Sequence, residues 1–277
     1  MKHALELSDD QIQQLVNSAM DRILAFTRTI EEQPVDLCDR IDPKQVRALA
    51  EPLPKQATEF DHLLDIIFEQ AAPFAINAVS PGFMGYVPGG GIFHAALADL
   101  IANTLNRYVG VSNVAPALNQ LEANVIRWLC EIIEYPANAR GFLTSGGSLA
   151  NLSALITARH VRLGEDFSKG VVYISNQAHH CLEKAARLAG FPQKNFRVLD
   201  VDDQYRLQPE QVYEAIREDR ARGLTPCMIA ASAGTTNSGA VDPLPQLADL
   251  AAQERLWFHI DGAYGGLFRM PERGEKT

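Results

Sequence analysis

Asp261 is the residue in this sequence best placed to do chemistry. It lies in His259-Ile260-Asp261-Gly262-Ala263-Tyr264-Gly265-Gly266, directly after the apolar run Leu256-Trp257-Phe258. That pattern predicts a buried strand that delivers a carboxylate at its tip. The small residues that follow would let a flat ligand come close to the backbone. In open α/β sheets, ligands sit outside the carboxyl ends of the strands. The same octapeptide also fits a turn or helix-capping aspartate. On this segment alone both readings stand.

Three further segments have residue types suited to a binding site. Thr144-Ser145-Gly146-Gly147-Ser148-Leu149-Ala150-Asn151 places glycines at an expected helix start, where backbone N–H groups and the helix dipole favour an anion. Ser148 adds a hydroxyl donor. The segment is not GxGxxG, and no Lys follows the glycines as in a P-loop; a glycine-rich turn with a Ser N-cap is the plainer reading. Asn176-Gln177-Ala178-His179-His180 offers histidines that could cap a helix, bind metal or stack on a ring. No second pair of His, Cys or acidic residues lies at metal spacing, which argues against zinc. Ala233-Gly234-Thr235-Thr236-Asn237-Ser238-Gly239 supplies hydroxyls and tight turns. Asp242-Pro243 after it reads as a helix N-cap with Pro at N1. Ser80 to Gly91 is dense in Gly, Pro and aromatics, which fits either a sharply turned loop or a small-molecule pocket.

These segments need a scaffold, and the hydrophobic rhythm supplies one. From Arg140 onward, strand-like runs alternate with helical ones. The runs are 141–144, 171–174, 196–199, 227–231 and 256–260, with helices near 148–162, 178–190, 208–222 and 244–254. This βαβ series predicts a largely parallel sheet covered by helices. Upstream, Ser8-Asp9-Asp10-Gln11 is a capping-box pattern opening a helix to about Thr29. A proline-rich connector follows, then an amphipathic helix over about 57–70, a helix over 94–105 and a long helix from Pro116. In the last of these, Leu118, Leu121, Val125, Ile126, Leu129 and Ile133 form one face, read as core packing.

Composition narrows the class. The chain has 277 residues, 47% hydrophobic and 21% charged, with a net charge of −9. The length suits one large α/β domain plus an accessory segment. The acidic balance argues against non-specific nucleic-acid binding. No apolar stretch reaches membrane-spanning length. The absence of a signal peptide and the four scattered cysteines (Cys38, Cys130, Cys181, Cys227) fit reduced structural thiols in a cytoplasmic protein. Asn151-Leu152-Ser153 is formally a glycosylation sequon, read as accidental.

Together, an anion cradle, a candidate stacking ring, a hydroxyl loop and a strand-end Asp fall on one sheet edge. That combination suits a flat phosphorylated cofactor such as pyridoxal phosphate. A carboxylate beside its ring nitrogen would favour the protonated ring, the better electron sink.

These motifs resemble the group II pyridoxal-phosphate-dependent amino-acid decarboxylases. The resemblance runs from about Asp9 to the C-terminus and is tightest from Gly141 to Gly266. It implies a fold-type-I large domain of the aspartate-aminotransferase kind with a mostly parallel sheet. Residues 1–75 would form an N-terminal helical arm, and 76–277 the first part of the large domain. The family's C-terminal small domain would be absent. The resemblance puts Gly147 and Ser148 on the cofactor phosphate, and His179 and Ala263 on opposite faces of its ring. It puts Asp261 on the pyridine nitrogen, with Thr236 and Gly89 as further cofactor contacts. Tyr86, Val87 and Pro88 would line the substrate side. His179 and Asp261 would be the catalytic pair. The substrate would be an amino acid, and the assembly a homodimer with the arm wrapping its partner.

One feature departs from the family pattern. The family carries its cofactor-bonding lysine downstream in a Pro-His-Lys segment, which this sequence lacks. The only lysine after Asp261 is Lys276, in a different context. The expectation is therefore decarboxylation of an L-amino acid to an amine and CO2 as the family activity, with little turnover by these 277 residues alone. An aldehyde synthase or aminotransferase of the same fold would share nearly all these residues. A non-catalytic remnant acting only through binding is a further alternative. A nucleotide-binding α/β protein is a weaker one, since GxGxxG and GK[ST] are missing.

Overall fold

The computed structural model describes residues 6–35, 42–86 and 89–270. The chain divides into two compact units, Met1–Leu105 and Asn106–Thr277.

In the first unit, α1 (Asp9–Arg28) opens with the expected capping box. The Ser8 hydroxyl accepts from Gln11 N–H, and the Gln11 side chain accepts from Ser8 N–H. A short α2 (Pro43–Ala48) interrupts the proline-rich connector. The helix expected over 57–70 begins at Phe60 as α3 (Phe60–Asp65), then widens into a π-helical turn, Ile66–Ala71. Arg22 of α1 pairs with Asp65 and Glu69, and Phe26 meets Phe68 edge-on. The unit closes with α4 (Phe93–Leu105).

The second unit begins with α5 (Pro116–Ile132), with Pro at its start as the sequence suggests. Its apolar face does not form the expected core. Leu118, Leu121, Val125 and Trp128 are all exposed, and no residue of the helix is buried. Helical periodicity specifies an apolar stripe but not what covers it.

A four-stranded parallel sheet follows, in the order β2-β1-β3-β4: β1 Gly170–Ser175, β2 Phe196–Leu199, β3 Thr225–Ser232 and β4 Trp257–Asp261. Between and before them lie α6 (Gly147–Leu163), α7 (Cys181–Leu188), α8 (Pro209–Ala221) and α9 (Leu244–Gln253). Strand alternation divides the core into two layers. Val172, Ile174, Met228 and Ala230 pack with Leu155 and Ala158 of α6 and Leu182, Ala185 and Ala186 of α7. Val171, Tyr173, Ile229 and Ala231 pack with Val212 and Ile216 of α8 and Leu247 of α9. A sheet covered on both faces has near-continuous apolar strands, and every residue of β1 is buried.

Two local expectations are corrected. Residues 141–144 form no strand and have no regular secondary structure, with Phe142 and Leu143 exposed. A short apolar run becomes a strand only where a neighbour pairs with it, and none of the described strands does. Asp242 does not cap α9. Its carboxylate accepts from Leu207 N–H (2.8 Å) and Ser232 N–H (2.7 Å), tying the segment before α8 to the end of β3. Burial raises its pKa, opposed by those two backbone donors.

Candidate functional site

The strand order reverses direction at β1: β2 lies on one side of it and β3 on the other. Such a switch point opens a crevice at the carboxyl ends of the strands. The loops leaving β1, β3 and β4 there are 176–180, 233–239 and 262–266, the segments singled out by residue type. The start of α6 joins them: a Cβ at Gly147 would lie 3.8 Å from the Ala263 Cβ.

That helix start is open. Gly146 sits at the N-cap position and provides no side-chain cap, so the Ser N-cap of the plainer reading is not formed. Leu149 and Ala150 N–H groups bond back to the Gly146 carbonyl. Those of Gly147 and Ser148 have no partner among the described residues. Unpaired N–H groups at the positive end of a 17-residue helix can take an anion.

Asp261 ends β4 with both carboxylate oxygens engaged. Oδ1 accepts from Ala263 N–H at 3.1 Å, and Oδ2 from Asn151 Nδ2 at 2.9 Å. Asn151 also faces His259 Nε2 through Oδ1 at 2.7 Å and donates to Cys181 Sγ at 3.1 Å. The geometry follows from two periodicities. His259 and Asp261 are two apart on a strand and share a face, the one on which Trp257 packs against the α6–α7 layer. Gly147, Asn151 and Leu155 recur every four residues along one face of α6. One amide can therefore reach both strand residues. Burial lowers the pKa of His259, opposed by the Asp261 charge, which favours the neutral ring.

Close backbone approach explains two glycines. A Cβ at Gly265 would lie 2.0 Å from the Ala233 carbonyl oxygen, so only glycine lets the β3 and β4 loops meet. Gly234 has φ +96°, and a Cβ there would lie 2.5 Å from Tyr264 Cδ1. Thr235 is buried, its hydroxyl 2.6 Å from that of Ser238. Thr236 follows in the turn, partly exposed.

His179 lies in the β1 loop and caps its own helix: Nδ1 accepts from Cys181 N–H at 3.3 Å. Its ring lies 4.1 Å from that of His180. Cys181 links this loop to Asn151. The structure thus gathers Gly147, Asp261 and Ala263, with His179 joined through Cys181 and Asn151. Tyr86 and Gly89 belong to the first compact unit, where Tyr86 is exposed and nothing lies close to Gly89. Val87 and Pro88 lie outside the described residues. No cluster of His, Cys, Asp or Glu among the described residues could hold a metal.

Sequence reasoning named Asn151 only as the last residue of the glycine-rich segment and the first of a sequon, and gave it no role of its own. It is 4% exposed, which leaves no room for a glycan. A polar residue on the face that also carries Leu155 and Ala158 was the available signal, because buried polar groups need partners.

A family model, the pyridoxal-dependent decarboxylase conserved domain, matches residues 43–275. The aromatic-L-amino-acid decarboxylase of Bacillus atrophaeus is 33% identical over 275 residues, covering 99% of this chain and 57% of the relative. Tryptophan decarboxylase 2 of Oryza sativa subsp. japonica is 33% identical over 271 residues, 93% of this chain and 54% of its own length. Among solved structures, Rhodiola rosea 4-hydroxyphenylacetaldehyde synthase matches with a TM-score of 0.90 at 27% identity, covering 98% of this chain and 60% of that one. Oryza sativa TDC with PLP and tryptamine matches at 0.88 with 28% identity, covering 98% and 61%. The chain spans little more than half the length of the curated relatives it matches. The fold-type-I α/β architecture, the parallel sheet and the matched domain agree: the chain belongs to the pyridoxal-dependent decarboxylase family.

Proposed function

We propose that the crevice at the carboxyl edge of the sheet holds pyridoxal 5′-phosphate. We further propose that the protein decarboxylates an L-amino acid to an amine and CO2. The observation that carries this reading is Asp261, held through both oxygens at the tip of β4 beside the uncapped start of α6. The residues fit the group. Gly147 and Ser148 N–H groups and the Ser148 hydroxyl suit a phosphate. Ala263 is small enough to lie under a ring, and His179 would stack on the other side. Thr236, in the β3 loop, would be a further cofactor contact.

Each residue has a distinct task. The Asp261 carboxylate would accept a hydrogen bond from the ring nitrogen and favour its protonated form, since a neighbouring opposite charge favours the charged form. Gly147 and Ser148 anchor and orient. His179 and Ala263 would fix the ring plane. The bound cofactor supplies an electron sink for the pair released as CO2 leaves. The covalent lysine implied by the family resemblance, in a Pro-His-Lys segment, is not among these 277 residues. Their share of the work is holding and polarising the ring, with little turnover expected from them alone.

The named relatives favour aromatic amino acids. The resemblance to phenylacetaldehyde synthases of Arabidopsis thaliana and Petunia hybrida supports a second reading, an aldehyde-forming reaction. Incubation of the chain with pyridoxal phosphate and tryptophan or tyrosine, followed by product analysis, separates the two. Amine with CO2 above the cofactor-only background supports decarboxylation; aldehyde supports the second reading.

The same reading makes the protein a homodimer. Its support is the exposed apolar surface of α4 (Phe93, Leu97, Leu100, Ile101) and of α5, more than a solvated helix face normally carries. A cytoplasmic location accords with free thiols at Cys130, Cys181 and Cys227. No described helix is long and apolar enough to cross a membrane.

A further inference from the structure

We propose that Asn151 is a positioning residue that locks the Asp261 carboxylate and the His259 imidazole into one arrangement through a single side-chain amide. Its consequence for a bound ring rests on the pyridoxal phosphate reading above; the lock itself does not.

The chemistry of the partners decides every orientation. An ionised carboxylate only accepts. The atom of Asn151 that faces Asp261 Oδ2 at 2.9 Å must therefore be Nδ2. The second Nδ2 hydrogen goes to Cys181 Sγ at 3.1 Å. Oδ1 is left to face His259 Nε2 at 2.7 Å, so that ring nitrogen must carry the hydrogen and donate it. The amide flip and the histidine tautomer are fixed together. Ala263 N–H holds the other carboxylate oxygen, and the two donors set the carboxylate plane. Each oxygen keeps lone-pair capacity for a ligand. Asn151 is 4% exposed, so water cannot take over these bonds at no cost.

The test uses the whole 277-residue chain and two probes, pyridoxal 5′-phosphate and its 1-deaza analogue, in which carbon replaces the ring nitrogen. The wild-type chain is expected to bind the parent compound more tightly than the analogue. Asn151→Ala is expected to weaken binding of the parent compound by about tenfold and to shrink the preference towards unity. Leu155→Val, one turn along the same face, is expected to lower stability while leaving the preference unchanged. Asn151→Asp, of the same size, serves if Asn151→Ala does not fold, and should lose the preference as well. Long-range ¹⁵N NMR of His259 is the second readout, with the Nε2–H tautomer expected in the wild type and a mixed population in Asn151→Ala. An unchanged preference in the Asn151 variants, or a loss of it in Leu155→Val, would overturn the positioning role. So would an Nδ1–H tautomer in the wild type. If the wild type binds neither probe while His259 shows the expected tautomer, the lock stands and the cofactor reading fails.

Discussion

The parallel sheet and helix α5 lie in the same compact unit, and both are rich in apolar residues, yet only the sheet buries them. Every residue of β1 is buried, whereas Leu121 and Trp128 of α5 are 61% and 52% exposed. The sheet finds its partners within this stretch of chain, because α6 and α7 cover one face and α8 and α9 the other. For α5 the described residues provide no such cover. The sheet region is therefore self-sufficient, and the candidate site is built on it. The apolar face of α5 suits assembly, the role that the dimer reading gives it.

This contrast can be broken by mutation. The largest effect should come from Asp219→Ala. Asp219 is 1% exposed and accepts from the Tyr173 hydroxyl at 3.0 Å and Arg197 Nε at 3.0 Å. Removing one partner of a buried ion pair costs about 3 kcal/mol or more, measurable by urea unfolding. Gly265→Ala should follow, at about 1–3 kcal/mol, because the new methyl collides with backbone rather than a yielding side chain. Pyridoxal phosphate binding should fall with it, as the β3 and β4 loops part.

A pH effect should be smaller. The pKa of His259 is lowered below 6.5, chiefly by burial. The unfolded chain therefore binds the extra proton first as pH falls below about 6.5. Stability should decline with falling pH in that window, by at most about 1.4 kcal/mol per pH unit. His259→Gln should remove this part of the slope in unfolding curves taken between pH 7 and 5. The smallest effect on stability should be that of Leu121→Gln, within about 0.5 kcal/mol at low protein concentration. The same change should weaken self-association in light scattering. A large loss of stability without a change in association would mean that α5 is packed within the chain after all.

The division between the two regions also explains what the sequence could reveal. The four described strands and α6 to α9 were legible because apolar runs and helical periodicity repeat where both faces of a sheet are covered. The run at 141–144 has the same composition without a pairing partner, and composition cannot see partners. Asp261 was legible as a strand-tip carboxylate. Its fixation was not, because Asn151 lies 110 residues away and only the packing of α6 on β4 joins them. Asp242-Pro243 carried a helix-start signal, but the carboxylate was drawn instead to two backbone donors, one before α8 and one at the end of β3, that converge only in the fold.

The central claim is that these residues form the ring-holding half of a pyridoxal phosphate site. Titration of the 277-residue chain with pyridoxal 5′-phosphate, followed by the cofactor's induced circular dichroism, tests it most directly. Saturable binding is expected, with affinity reduced about tenfold or more in Asp261→Ala, which removes a charged hydrogen-bond acceptor. No saturable signal in the folded wild type, or equal affinity in Asp261→Ala, would contradict the claim.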